Sequence, residues 1–372
     1  MSITIAVDTM GGDGAPGMVL AGVALAQKKF PDVHFLLFGD REKLKPLIQK
    51  HELTPENLTL CHADQVITND MKPSSALRNA RSSSMRLAIE AVSKGKASAV
   101  VSAGNTGAYM ALSKIILKTL NGIDRPAIAK PMPTLKGQTL LLDLGANIEC
   151  SPENLAQFAL MGEVFARYVF KQKSPSIGLL NVGSEDLKGN ATIQTTHRFL
   201  QQSSWIENFY GFVEGNDILK GTVDVVITDG FTGNVALKTA EGAFKLIQSR
   251  LRKSFQSSVI NKLGYWFARP ALTQFQISMD PRRLNGAPFL GLNGISVKSH
   301  GGTDAIGFSS ALAVAIDMVV QNINNHIREG LSNSEVIEDS QTKDSKTPPT
   351  PPPLTLARRI VPPNSQPAHG AT

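Results

Sequence analysis

The sequence predicts an α/β protein, with a mostly parallel sheet between two helical layers in an α/β/α sandwich. Two observations predict it. Short β-rich runs alternate with helical ones along most of the chain. Several strand ends also carry polar, glycine-rich loops, which is where open α/β sheets bind ligands. The 372 residues are 42% hydrophobic and 19% charged, which is enough apolar material for a core and excludes a wholly disordered protein.

Taken in order, Ile3–Asp8 reads as a strand, Met18–Lys28 as a helix, His34–Phe38 as a strand, Glu42–Lys50 as a helix and Leu58–Cys61 as a strand. Strands Ala97–Ser102, Thr139–Asp143, Ile177–Asn181, Phe209–Glu214 and Val223–Thr228 continue the pattern. The longer helices are Glu153–Phe170 and Ala305–Ile327. Ser151-Pro152 starts the first of them, with serine as N-cap and proline in the first turn. Residues 1–332 therefore form one α/β domain. Residues 333–372 contain eight of the 21 prolines and no aromatic residue, and read as a disordered Pro-rich tail.

Charge is unevenly placed. Residues 244–283 hold eight basic side chains and one acid, a local excess equal to the +7 of the whole chain. Phe244, Ile247, Leu251 and Phe255 recur there at helical spacing, as do Val259, Leu263, Trp266 and Phe267, with Gly264 and Pro270 as breaks. The segment reads as a protruding basic amphipathic helical element for an acidic protein, a membrane, or both. No DNA-binding fingerprint accompanies it, so nucleic acid is not an expected partner.

Two cysteines, Cys61 and Cys150, exclude a disulfide scaffold and a multi-cysteine metal site. No apolar run reaches the roughly 18 residues of a spanning helix, and no secretory pattern opens the chain. The expected location is the cytoplasm.

The strand-end loops carry the chemistry. Gly104-Asn105-Thr106-Gly107 and Gly230-Phe231-Thr232-Gly233 share one form, each after a Val-rich strand and before a helix. Close backbone approach, free helix N–H groups and a threonine hydroxyl suit a phosphate-like anion; tight turns with threonine caps explain the same residues. Gly12-Asp13-Gly14-Ala15-Pro16-Gly17 fits a dinucleotide fingerprint, but Asp8 and Asp13 would repel a pyrophosphate there. No nucleophile elbow or P-loop is present. Asp8, Asp143 and Asp229 read as magnesium ligands or, more simply, as loop caps. Lys188, Lys298 and His300 lie beside glycine turns and suit charge stabilisation and proton handling.

A collinear series of motifs resembles the phosphate acyltransferase family of bacterial phospholipid synthesis. It comprises Asp8–Asp13 with Ala15-Pro16, Ser102–Ala108, Leu142–Asn147, Leu180–Gly183, Lys188–Asn190, Val213–Asp217, Thr228–Lys238, Leu284–Pro288 and Val297–Gly301. Thr9, where the family commonly has alanine, and the tail beyond about 333 are departures. The resemblance implies acyl transfer from acyl carrier protein to inorganic phosphate, giving acyl phosphate for a downstream membrane glycerol-3-phosphate acyltransferase. It implies a fold like the isocitrate and isopropylmalate dehydrogenases and phosphotransacetylase, a homodimer, peripheral contact with the inner face of the cell membrane, and no cofactor or metal.

On that resemblance, Lys188, Asn234, His300 and Asp229 are the expected catalytic residues. Lys188 supplies charge, Asn234 binds phosphate or oxyanion, His300 protonates the departing thiolate and Asp229 orients its neighbours. Asn105, Thr106, Asp143, Asn147, Asn190, Thr232 and Lys298 are the expected substrate-binding set. Arg250, Arg252, Lys253, Lys262, Trp266 and Arg269 are the expected contacts for acyl carrier protein or membrane.

Overall fold

β-Rich runs closed by polar loops pair into one eleven-stranded sheet. The computed structural model describes residues 3–332 apart from Met279 and Pro281; the tail expected at 333–372 lies outside the described residues. The chain opens with β1 (Thr4–Asp8), α1 (Gly17–Lys29), β2 (His34–Gly39), α2 (Arg41–Lys50) and β3 (Leu58–His62). Helices α3 (Pro73–Asn79) and α4 (Ser84–Ser93) lead to β4 (Ala99–Ser102) and α5 (Thr106–Leu117). Next come β5 (Ala127–Thr134), β6 (Gly137–Leu142), α6 (Pro152–Tyr168), β7 (Ile177–Leu180) and α7 (Ala191–Gln202). Then β8 (Phe209–Val213), α8 (Gly215–Lys220) and β9 (Val225–Ile227) precede the long helices α9 (Gly230–Gln256) and α10 (Val259–Ser278). β10 (Ala287–Leu290), β11 (Ile295–Lys298), α11 (Ala305–Val320) and α12 (Ile323–Ser332) complete the described chain.

The strand order is β3-β2-β1-β4-β11-β10-β5-β6-β9-β7-β8. Pairing is parallel on both flanks and antiparallel in the middle, where β10 pairs with β11 and β5, and β5 with β6. One apolar core lies between the sheet and α1, α6, α11 and α12, with Phe158, Phe165 and Phe308 fully buried. A second lies on the other face under α3, α4, α5 and the start of α9, around Tyr109 and Phe289. The sandwich expected from the alternating pattern is therefore present.

Four local features differ from the sequence expectation. β5 carries Pro131 and Pro133, which argue against a strand. It forms because β10 pairs only with Ala127 and Ile128, so neither proline faces a partner needing its N–H on that side. β10 and β11 are four-residue strands whose motif residues hid their β character. The helix expected over Ala305–Ile327 divides at Asn322, whose φ of 49° is a conformation asparagine tolerates. Finally, α10 runs through Gly264 and Pro270; each is a single-residue penalty that the neighbouring turns outweigh. The break falls at Ser257-Ser258 instead, where the Ser258 hydroxyl accepts the Asn261 N–H at 3.1 Å as an N-cap. The serine cap and Pro152 at the start of α6 are as expected, with a reciprocal Ser151–Asn154 capping box.

The first turn of α9 is seated on the loop after β6. Gly230 N–H donates to Asn147 O at 2.7 Å, and a Cβ on Gly233 would collide with the Asp143 carbonyl oxygen. Gly242, later in the same helix, has open space around it. Gly233→Ala should therefore cost about 2–3 kcal/mol of stability through overpacking, whereas Gly242→Ala should add about 0.5–1 kcal/mol. Urea denaturation midpoints of the two variants would check this; equal midpoints would contradict the close seating of α9.

Candidate active site

Parallel register sets Asp8 on β1 beside Ser102 on β4, and Ser102 beside Lys298 on β11, so three polar side chains share one row on one face. Asp8 is 1% exposed. Its carboxylate accepts the hydroxyls of Ser84 and Ser102, each at 2.6 Å, and the Met10 N–H at 3.3 Å. Burial raises the Asp8 pKa, and the two serines and Lys298 oppose that rise. Lys298 is buried, donates to the Ser299 backbone oxygen, and has its pKa lowered to about 8. Desolvation is the cause, partly offset by Asp8 and Asp13. An ammonium held this way is poised for an incoming anion.

His300 follows directly. Its N–H donates to the Asn285 side-chain oxygen at 3.1 Å, and Nδ1 accepts the Gly302 N–H at 3.1 Å. With Nδ1 acting as acceptor, the neutral ring carries its proton on Nε2. Burial, then the nearby Lys298, Lys238 and Lys130, hold the His300 pKa below the usual imidazole range against the pull of Glu241. Asn105 caps α5, accepting the Ala108 N–H at 3.0 Å. Its amide donates to the carbonyls of Thr68, Asn69 and Met71, so Asn105 also pins that loop. Thr106 is exposed in the first turn of α5. In the Gly12–Gly17 loop, whose fingerprint match the sequence argued against, Asp13 N–H donates to Gly301 O at 2.9 Å, and its carboxylate accepts the Asn69 amide at 3.0 Å.

The remaining predicted residues lie elsewhere. Because β5 runs antiparallel to β6, and β10 to β11, the carboxyl ends of β6, β7 and β9 emerge at the sheet edge opposite that of β1, β4 and β11. Asp143 is buried there and accepts N–H groups from Ile128, Ala146 and Asn147 and the Asn147 amide, at 2.7–3.1 Å. Asn147 also donates to Pro126 O at 2.8 Å, so this pair builds the loop. Burial raises the Asp143 pKa. Asp229 caps α9, taking both the N–H and the hydroxyl of Thr232 at 2.8 Å. Asn234 is exposed beside Gly145. Lys188 is exposed on the loop after β7, its carbonyl held by the Asn181 amide at 3.1 Å, and Asn190 caps α7 by accepting the Ile193 N–H at 2.9 Å. The structure thus assembles Asp8, Asn105, Thr106, Lys298 and His300 at one edge. It places Asp143, Asn147, Lys188, Asn190, Asp229, Thr232 and Asn234 at the other.

Helix α9 connects the two. Asn234, Lys238 and Glu241 are spaced four and three residues apart and share one face. Glu241 lies 2.8 Å from Lys238 and 3.5 Å from Lys130 of β5, whose side chain is 22% exposed and whose pKa burial lowers. Lys130, Lys238 and Glu241 are functional candidates that motif reading missed. The available signal for Lys130 was a single charge inside the apolar run Ala127–Met132. Lys298, Lys238, Lys130 and Glu241 all act electrostatically on His300, so three lysines and a carboxylate cluster about this imidazole, a charge set suited to an anion.

Neither cysteine suits nucleophilic work. Burial pushes both thiols up, that of Cys150 to about 12 with help from Asp143 and Asp229. Among the described residues no group of three or more His, Cys, Asp or Glu side chains could hold a metal ion. All six predicted contact residues are exposed on the α9–α10 hairpin. Arg282 is engaged elsewhere, 2.6 Å from Asp280 and 2.9 Å from Asp304.

The family described as fatty acid synthesis protein matches residues 3–326. The phosphate acyltransferase of Rhodospirillum rubrum is 55% identical over 336 residues, 90% of this chain and 96% of its own. That of Paramagnetospirillum magneticum is 53% identical over 342 residues, 92% of this chain and 97% of its own. A phosphotransacetylase from Streptococcus pyogenes superposes with a TM-score of 0.59 at 15% identity, covering 86% of this chain and 94% of its own. A branched-chain phosphotransacylase from Enterococcus faecalis does so at 0.53 and 15%, covering 85% and 99%; both show likeness of fold alone. By sequence match over nearly the whole described chain, this protein belongs to the phosphate acyltransferase family of enzymes.

Proposed function

We propose that the enzyme transfers a fatty acyl group from acyl carrier protein to inorganic phosphate, releasing acyl phosphate and the free carrier thiol. The observation that carries this reading is the clustering of Lys298, Lys130 and Lys238 about His300. A phosphate oxygen attacks the thioester carbonyl carbon; the new C–O bond forms and the C–S bond breaks. The proton on hydrogen phosphate ends on the departing thiol, so the reaction balances without a covalent acyl-enzyme. The lysines bind the dianion and orient it. His300, neutral with its proton on Nε2, acts best as a hydrogen-bond donor to the oxyanion. That replaces the proton-donor role expected for it, since a lowered pKa leaves little imidazolium near neutrality. Lys298, with a pKa of about 8, is suited to relay the proton.

We further propose a homodimer, as the resemblance implies; within one chain the loop carrying Lys188 lies at the sheet end opposite Lys298 and His300. A purely monomeric sedimentation profile at assay concentration would remove that part. The hairpin is the proposed docking element for acidic acyl carrier protein and for the inner membrane face, where a glycerol-3-phosphate acyltransferase would consume the product. Its support is basic charge interleaved with exposed apolar groups, Trp266 at 64% and Phe267 at 70%. Among the described residues no single helix is long and apolar enough to cross a membrane.

The direct test incubates the protein with palmitoyl-acyl carrier protein and phosphate, traps product with hydroxylamine and separates it by mass spectrometry. Phosphate-dependent acyl phosphate is expected; its absence across several chain lengths would end the assignment. In the same assay, reversing Arg250, Lys253 and Arg269 to glutamate should raise KM for the carrier at least tenfold and flatten its salt dependence. An unchanged salt profile would move docking off the hairpin.

A pH series tests the lysine. Lys298 is charged below about pH 8 and loses its charge as pH rises through that value, with Asp8, Asp13 and His300 as its charged or titratable neighbours. KM for phosphate should therefore climb above pH 8. Lys298→Arg, which stays charged, should carry the plateau to higher pH; identical profiles would contradict the role.

A further inference from the structure

Asp8 is a buried carboxylate to which the proposed reaction gives no task. Its Oδ1 accepts the Ser84 hydroxyl at 2.6 Å and the Met10 N–H at 3.3 Å, and its Oδ2 accepts the Ser102 hydroxyl at 2.6 Å. Three donors around two oxygens suit an ionised carboxylate. Ser102 Oγ in turn accepts the Gly104 N–H at 3.1 Å, so its one proton is committed to Asp8. Gly104 opens the Gly104–Gly107 turn before α5, and Gly11 of the loop after β1 packs directly on it. A Cβ on Gly11 would lie 2.6 Å from both Asp8 Oδ2 and the Gly104 nitrogen. Amide, hydroxyl and carboxylate therefore form one hydrogen-bonded chain with a fixed direction. Lys298 stands one strand beyond Ser102 in the same row, and the next residue, Ser299, donates its N–H to Ser102 O at 2.9 Å. The Lys298 ammonium and the Asp8 carboxylate act on each other electrostatically.

A buried charge is costly, and a neutral side chain of the same shape would fill this space at less expense. What only the charge provides is a fixed field on a neighbouring ammonium and a fixed direction for the Ser102 hydroxyl. We propose that Asp8 is a positioning residue for the reaction, holding Lys298 as an ammonium and, through Ser102, holding the Gly104–Gly107 turn beside it. The inference rests on acyl transfer to phosphate as the reaction. Asp8 acts through these two residues and touches no reacting atom. Asp8 and Asp13 both favour the charged form of Lys298, and His300 is its titratable neighbour two residues on. Tyr109, which Asp8 also reaches electrostatically, is held neutral by burial. Removing the Asp8 charge lowers the Lys298 pKa, so the ammonium is lost at a lower pH.

Asp8→Asn separates charge from shape, since each serine hydroxyl can turn to bond an amide of the same size. In protein carrying isotope-labelled lysine, the Lys298 NMR signal is identified by its loss in Lys298→Arg. It should titrate near pH 8 in the intact protein and about one pH unit lower in Asp8→Asn. The pH at which KM for phosphate begins to climb should fall by the same interval. Adding Lys298→Arg to Asp8→Asn should restore the plateau, because arginine stays charged unaided. Ser102→Ala keeps the charge but cuts the link to Gly104; it should raise KM for phosphate about tenfold at every pH, with the Lys298 titration in place. A Lys298 midpoint unchanged in Asp8→Asn would overturn the proposal. So would a uniform loss of kcat that Lys298→Arg does not relieve, which is what a purely structural role produces. Unchanged KM in Ser102→Ala would overturn it even where Asp8→Asn failed to fold. If the midpoint moves but the intact protein forms no acyl phosphate, the reaction reading falls and the positioning role with it, while the coupling of the two charges stands.

Discussion

The reversal of strand direction at β10 and β5 is the constraint on which the rest of the structure depends. Parallel strands need crossover connections, and their glycine-rich ends all face one way. Inserting antiparallel pairings between β11 and β6 turns the second half of the sheet around. Polar loops that look equivalent along the chain are thereby sent to opposite edges. A helix starting at one edge and lying across a sheet face reaches the other edge within a few turns, and α9 does this. Its N-terminus is locked by Gly230 and Gly233 against the Asp143–Asn147 loop, and two to three turns later it brings Lys238 and Glu241 to Lys130 and within electrostatic reach of His300.

Electrostatics in that cleft follow from burial more than from the number of charges. Asp8 and Lys298 occupy one row of a sheet interior, where each would be costly alone. Serine hydroxyls satisfy the carboxylate, the Ser299 backbone oxygen meets the ammonium, and each charge moderates the other's desolvation. Lys130 is held similarly by Glu241. The result is two lysines, Lys130 and Lys298, that are under-solvated in the resting protein, beside an exposed Lys238. Under the proposed reaction, an anion meeting Lys130 and Lys298 would find donors that have already lost much of their water, which is the condition under which preorganised charge stabilises a transition state.

How much of this was legible in the sequence divides along the same physical line. Local signals were readable: β-branched runs gave the outer strands, and Ser151-Pro152 gave the start of α6. The collinear motifs were enough to recognise the family. Non-local consequences were not. Pro131 and Pro133 hid β5 because only its pairing partners reveal that their missing N–H groups are unneeded. Nothing local states that β6 runs opposite to β4, so the loops after β7 and β11, with Lys188 and His300, look equivalent although they leave the sheet at opposite ends. Asn105 and Asp143 were selected for residue type and position; the structure adds that both hydrogen-bond to neighbouring loops. Lys130 was passed over because one lysine in an apolar strand carries no motif.

The same long helix explains why a basic amphipathic hairpin belongs on this fold at all. The substrate of an acyl-phosphate synthase is chemically divided: a polar reacting end that needs fixed charge, and an alkyl chain that water rejects. A sheet-edge cleft supplies the first requirement but has no depth for the second, since the space beneath it is filled by the core around Tyr109 and Phe289. Extending α9 beyond the sheet and folding α10 back on it adds apolar surface without opening that core. The added surface stays aligned with the lysines because it is built on the same helix face. It also accounts for the composition of 244–283, where basic and aromatic residues alternate more closely than a solvated helix requires. Exposed aromatic rings and basic side chains thus sit on one amphipathic hairpin, tied to the lysine cluster by the uninterrupted α9 that carries Lys238 and Glu241.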